Sequence, residues 1–387
     1  MLVSLTTACS TSNIMRLPIG EPERSDQQVS VRVDTVIDAA SGASVPPQHL
    51  PGRLVDSRLI LVAEEHTSLE HHRVQLRVLE VLEEAGRALA IGLEMFPADD
   101  QAVLDDWIAG ELPETEFVER SDWYARWGYH WGYYREIFLF AREHGLPMVA
   151  LNAPRTVIAD VGAHGIDAAR ERHPDVFPPR VDISSKDHRT LVGAFFAADA
   201  PVHGRISEDQ FRSLFEAQCT WDAVMAYNAA RFLDTHPAHS LVVLAGTGHV
   251  IYELGIARQA QAWHQSPATS IVPVVVNEAD ERVQSSAADF LWGVPDLHGP
   301  TFPELGVISM RDEDGLRLAH VEPESAAALG GMEQGDILTH LKGTAMTERA
   351  DLNRTMATLQ WGDSVASTVQ RAGERVDLML IFRREGP

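Results

Sequence analysis

Five consecutive apolar residues, Leu59-Ile60-Leu61-Val62-Ala63, constrain this chain more than any other stretch. A strand with one wet face alternates apolar and polar side chains, whereas an unalternating run of strand length must be covered on both faces. The residues that follow supply a cover. Thr67-Ser68-Leu69-Glu70 has the reciprocal capping pattern of a helix start, and Leu76, Leu79, Val81 and Leu82 form an apolar stripe. The same unit recurs as Ala88–Leu93 before Ala98–Trp107, Met148–Leu151 before Thr156, and Leu241–Leu244 before Ile251. Ser207-Glu208-Asp209-Gln210 opens a long helix through about Leu233, and Ile271–Val276 reads as a last strand. Repeated strand–helix units predict an α/β fold with a mainly parallel sheet flanked by helices.

A chain of 387 residues exceeds the roughly 250–300 at which single cores stop growing, so a second domain is expected. The pattern divides the chain into residues 1–9, a partial lipoprotein signal; 10–56, a tether with a first strand at Val29–Ile37; 57–276, the α/β domain; 277–300, a linker; and 301–387, a small mostly β domain. The formal charge of −24 opposes binding to nucleic acid or to an anionic membrane face. Two cysteines, Cys9 and Cys219, make neither a disulfide framework nor a four-cysteine zinc site. Small residues precede Cys9 as at the end of a lipoprotein signal, although the positive start and most of the apolar stretch of such a signal are missing. The reading places lipid on Cys9 and the protein on the periplasmic side of the outer membrane, with a soluble periplasmic protein as the alternative. The competing reading is a cytosolic N-terminus with an incidental cysteine.

In open parallel sheets, ligands bind beyond the carboxyl ends of the strands. Here those ends carry Glu64 and His66, then Glu94, then Asn152, then Gly246-Thr247-Gly248-His249. Imidazole and carboxylate together suit a divalent metal, with His66, Glu94 and His249 as ligands. They suit equally an acid–base site of Glu64, His66, Glu94 and His249 around a water. Any one of these alone is more commonly a hydrogen-bonded structural residue; the set is more specific.

The segment Asp122–Arg135 packs three Trp, four Tyr, one His and two Arg into fourteen residues. A porphyrin needs aromatic walls, an axial Tyr or His, and Arg for its propionates. Tyr134 and His130 are the candidate ligands and Arg135 the propionate partner. The other physical reading is a core plug or a subunit interface, as in a homodimer. Cys219 and Trp221, on the long helix, read as core.

The stretches Leu61–Gln75, Ile91–Gly110, Trp127–Arg155, Ala217–Ala230 and Val243–Arg258 resemble successive motifs of the ChaN-like family, within the Tiki, TraB and erythromycin-esterase-like superfamily. The superfamily pattern has an early Gly-Glu-x-His, a strand-end Glu and a late Gly-x-x-His. Glu64 and His66, Glu94 and His249 stand at those positions, with Ala63 replacing the first Gly. The resemblance implies haem binding or haem handling by a lipoprotein of iron uptake. Its hydrolase relatives imply the alternative, a metal-dependent hydrolase or protease. Phe302–Phe382 resembles a bacterial PDZ domain, with Leu305-Gly306-Val307, a Gly335-Asp336 turn and a helix at Leu352–Leu359. The implied partner is an extended peptide or protein C-terminus added as a strand near Leu305–Val307; a domain that only docks on its neighbour, or a scaffold without chemistry, is the weaker reading.

Overall fold

The computed structural model describes residues 13–198, 206–297 and 299–384. Cys9 lies outside them. The chain forms two compact units: one holds the chain up to His66, Glu70–Pro113 and Glu136–Asp296, the other Thr67–Leu69, Glu114–Arg135 and the chain from Leu297 onward.

Among the described residues the larger unit is built on ten strands: β1 (Gln28–Val31), β2 (Val36–Asp38), β3 (Ala43–Ser44), β4 (Leu59–Glu64), β5 (Leu89–Pro97), β6 (Met148–Asn152), β7 (Ser240–Gly246), β8 (Ala268–Val276), β9 (Glu281–Gln284) and β10 (Phe290–Pro295). Eight make one sheet in the order β3-β2-β10-β8-β4-β7-β5-β6. The run from β10 to β6 is parallel, and β2 and β3 close one edge in antiparallel pairing. Every residue of β4 is buried, as an unalternating apolar strand at the centre of a covered sheet must be. The fold is therefore the α/β class that the strand–helix repeats predict. The chain leaves β4 toward β5 on one side and leaves β7 toward β8 on the other. Adjacent strands with oppositely directed exits open a crevice at their carboxyl ends. Among the described residues no helix is long and apolar enough to cross a membrane.

Two boundaries need correction. The proposed tether is part of the core: Ile14, Met15 and Ile19 are buried in it, and Asp34, at φ 58°, breaks the expected first strand into β1 and β2. The proposed linker 277–300 contains β9 and β10, and β10 lies beside β8 with Phe290 opposite Ile271. Phe290-Leu291-Trp292-Gly293-Val294 is itself an apolar run, and Gly293 is needed because a Cβ there would lie 1.9 Å from the Arg32 carbonyl oxygen.

The smaller unit carries a second sheet of β11 (Val307–Arg311), β12 (Leu316–Val321), β13 (Ile337–Leu341), β14 (Thr344–Ala345), β15 (Ser364–Arg371) and β16 (Glu374–Ile381), in the order β11-β12-β13-β15-β16 with β14 on β13. Its pairs are antiparallel, and β11 is an edge strand. Leu305, Leu318, Leu338, Leu352, Val369 and Phe382 share one core, so the helix Arg349–Met356 packs its Leu352 face against the sheet.

Candidate functional site

At the end of β4 the buried Glu64 receives the Gln75 amide at 2.9 Å on one carboxylate oxygen, while the other lies 2.8 Å from His66 Nδ1. His72, one turn into the helix Leu69–Glu84, brings Nδ1 to 3.2 Å from the first oxygen. Two strands away, Glu94 on β5 accepts the Gly246 N–H at 2.6 Å, tying β5 to the end of β7. The turn after β7 then delivers His249, whose Nε2 is 3.3 Å from the other Glu94 oxygen. Its Nδ1 is 2.6 Å from Asp222. Gly246 permits the assembly, since a Cβ there would lie 3.0 Å from His66 Cε1 and 3.5 Å from Glu94 Oε2. Glu64, His66, Glu94 and His249 thus meet at one place, at the crevice between β4 and β7.

Burial alone would drive His249 to its neutral form, but Glu94 and then Asp222 outweigh it and raise its pKa to about 10. His66 is raised too: against burial stand the hydrogen bond to Glu64 and the charge of Glu94. The carboxylates move the other way. Despite burial, Glu64 is held well below its usual range by His72 and His66, and Glu94 is lowered by His249. At neutral pH the site therefore pairs the His249 imidazolium with the ionised Glu94, so a proton donor and an acceptor stand next to each other. His71 lies outside this exchange: burial lowers its pKa to about 3, and its Nδ1 accepts the Glu65 N–H.

Among the described residues, no group of three or more His, Cys, Asp or Glu side chains is arranged to hold a metal ion. Of the expected ligands, His66 is paired with Glu64, and His249 with Glu94 and Asp222. Sequence reasoning missed Asp222, which points from the helix Glu208–Thr235 and is fully buried. The available signal was an acidic residue within the apolar run Trp221–Ala226. Cys219 is core, as expected. Trp221 packs against the core but is half-buried, with its ring edge-on to His249 at 5.0 Å between centroids.

The aromatic segment lies in the other unit. Trp123 packs edge-on against Trp131 at 4.9 Å and Tyr134 at 5.3 Å, and Tyr134 is 0% exposed. Arg135 donates to both oxygens of Glu114, which also accepts the Trp131 indole N–H at 2.9 Å. His130 lies flat on Phe302 at 3.6 Å, and its Nδ1 accepts the Gly132 N–H. As folded, Tyr134, His130 and Arg135 do not fit haem: the phenol is sealed, the imidazole Nδ1 lone pair already accepts the Gly132 N–H and the guanidinium is paired.

The sequence matches the family described as haem-binding uptake, Tiki superfamily, ChaN, over residues 50–259, more than half of the chain. The chain belongs to this family. A PDZ domain follows at residues 303–381. Among solved structures, ChaN of Campylobacter jejuni, described with cofacial haem binding, is 15% identical, with a TM-score of 0.53. The likeness covers 66% of this ChaN-like chain and 95% of that one, and it is one of fold. The HtrA-type protease AlgW with a decapeptide aligns over 22% of this chain and 30% of that one, at 22% identity and TM-score 0.20. Among curated proteins, RETICULATA-RELATED 5, chloroplastic, of Arabidopsis thaliana is 22% identical over 267 residues, 62% of this chain. The chain spans 34% of that relative's length.

Proposed function

We propose that this ChaN-like chain binds haem in bacterial iron acquisition, carried on the periplasmic side of the outer membrane by lipid on Cys9, and that its PDZ domain recruits an extended peptide. The family match over residues 50–259 carries the haem reading. The edge strand β11 supports the peptide reading, because an unpaired strand edge beside a helix is what an added peptide strand requires. Haem contact through segment 122–135 would require that segment to open. Titrating haem into the purified full chain tests the function: a saturable, shifted Soret band is expected. Unchanged affinity in both Tyr134→Phe and His130→Ala removes the aromatic segment as the site, and the absence of any saturable spectrum rejects haem binding.

A second reading is favoured by one observation, the placement of His249 between two carboxylates next to the Glu64–His66 pair. It is acid–base hydrolysis at the carboxyl edge of the sheet, with the PDZ domain presenting the substrate. No metal is needed for it: an imidazolium can protonate a leaving group while a carboxylate takes the proton of an attacking water. A panel of ester, lactone and peptide substrates, assayed with His249→Gln and Glu94→Gln as controls, decides it. Turnover that these variants retain would come from a contaminant.

A further inference from the structure

Behind His249 lies a line of buried polar groups that runs from Asp222 into the interior of the domain. Asp222 and His188 are both 0% exposed. Asp222 turns one oxygen to His249 Nδ1 at 2.6 Å, and its other oxygen lies 3.4 Å from His188 Nε2, an ion-pair distance between two buried atoms that have no hydrogen-bond partner among the described residues. On its far side His188 Nδ1 meets Arg258 Nη2 at 3.2 Å, and the Arg258 guanidinium is held by Asp182 at 2.7 Å.

The direction of this line follows from the chemistry of its ends. A guanidinium only donates, so His188 Nδ1, which the Cys219 sulfur also approaches at 3.6 Å, must accept, and its proton must sit on Nε2, the nitrogen 3.4 Å from Asp222. An ionised carboxylate only accepts, so the 2.6 Å contact puts a proton on His249 Nδ1, and the Gln218 amide, whose terminal group lies 3.0 Å from the same nitrogen, must then turn its oxygen to it. His249 is thereby fixed with Nε2 toward Glu94 and the crevice. Leaving a buried carboxylate with one oxygen unsatisfied is costly, which is a reason for His188 to stand where a purely apolar core would place a leucine. Second partners of this kind commonly set the tautomer and ring orientation of a working histidine.

We propose that Asp222, His188 and Arg258 are positioning residues that set the protonation and orientation of His249 from inside the domain. The inference rests on the acid–base reading for its chemical use, but its geometry does not depend on turnover. It is tested on the full chain labelled with ¹⁵N-histidine by long-range proton–nitrogen correlation, with His188 and His249 signals identified by their loss in His188→Gln and His249→Gln. The expected result is His188 as the neutral Nε2–H tautomer and His249 doubly protonated at pH 7. Asp222→Asn, which removes the buried charge beside His249 Nδ1, should lower the proton affinity of His249 at least tenfold. Arg258→Met should mix the two tautomers of His188, and Arg258→Lys, which still donates, should restore one. Should Asp222→Asn fail to fold, the Arg258 pair still decides. A wild-type His188 protonated on Nδ1, or His188 shifts unchanged in Arg258→Met, overturns the proposal. Lack of turnover on every hydrolase substrate would sink the acid–base reading and leave these nitrogen shifts as they are.

Discussion

Replacing His249 by Gln should remove a pH dependence of stability that the carboxylates around it create. The imidazole has an ordinary pKa of 6.5 when exposed and about 10 in the fold, where burial opposes its charge and Glu94 and Asp222 outweigh burial. At about 1.4 kcal/mol per pH unit, that difference is worth roughly 5 kcal/mol. Part of it is shared with the lowered pKa of Glu94, so this is an upper figure. Because the folded pKa is the higher one, the stabilisation is complete below pH 6.5 and is lost as pH rises from there to about 10. For a domain of 150–250 residues each kcal/mol moves Tm by roughly 2–4 °C, so the wild type should lose on the order of 10 °C across this window through His249 alone. The measurement is Tm at pH 6.5, 8 and 9.5 for the full chain and for His249→Gln, taken as the difference between the two proteins at each pH. That subtraction cancels groups that titrate in both. Wild-type and variant curves running parallel from pH 6.5 to 10 would refute the claim that His249 is held as an imidazolium.

Glu253 is pushed up to about 8 by burial and by the neighbouring carboxyl of Asp289, so Glu253→Gln should match the wild type below pH 4.5 and gain on it in Tm up to pH 8. Gly255→Ala would put a Cβ 2.3 Å from the His249 backbone oxygen, and thermal melts should show a loss of about 1–3 kcal/mol or more, as for overpacked cores. Trp131→Ala removes a ring that packs on Phe117 and Trp123 and donates to Glu114, and denaturant unfolding should show a loss of about 3–5 kcal/mol.

The fold was legible where hydrophobic pattern alone decides structure. The runs at Leu59, Ala88, Met148, Leu241 and Ile271 became the parallel strands β4 to β8, since nothing but burial on both faces stabilises such a run. Ser207 and Gln210 cap their helix reciprocally, as their spacing predicts. The misreadings fell where partners are distant in sequence. Phe290–Val294 is as apolar as β4, but its turn-like Gly293 and Pro295 hid a strand whose outer neighbour, β2, is supplied by the far end of the domain. Ile14, Met15 and Ile19 looked like isolated apolar residues in a polar leader because a single sequence does not show which surface they cover.

The site was legible for a different reason and to a different depth. Strand ends are local, so Glu64, His66, Glu94 and His249 could be nominated from the chain and are found together. What the chain hides is which polar group serves which other. Asp222 sits on a helix whose apolar stripe explains its neighbours, and only the approach of β7's final turn gives it a role. The aromatic segment shows the converse. Its residue types satisfy the list a porphyrin needs, yet the same rings satisfy one another: Trp123 against Trp131 and Tyr134, His130 against Phe302, and Arg135 against Glu114. Composition cannot distinguish side chains arranged to receive a ligand from side chains that have already found partners. Geometry can, because a ligand-ready phenol or imidazole must leave an atom facing open space, and Tyr134 does not. Haem binding by this ChaN-like chain must then either open the segment or use another surface, and the two routes differ in what Trp131→Ala does. Loosening the cluster should raise haem affinity if the segment is the site, and leave it unchanged if the haem sits elsewhere.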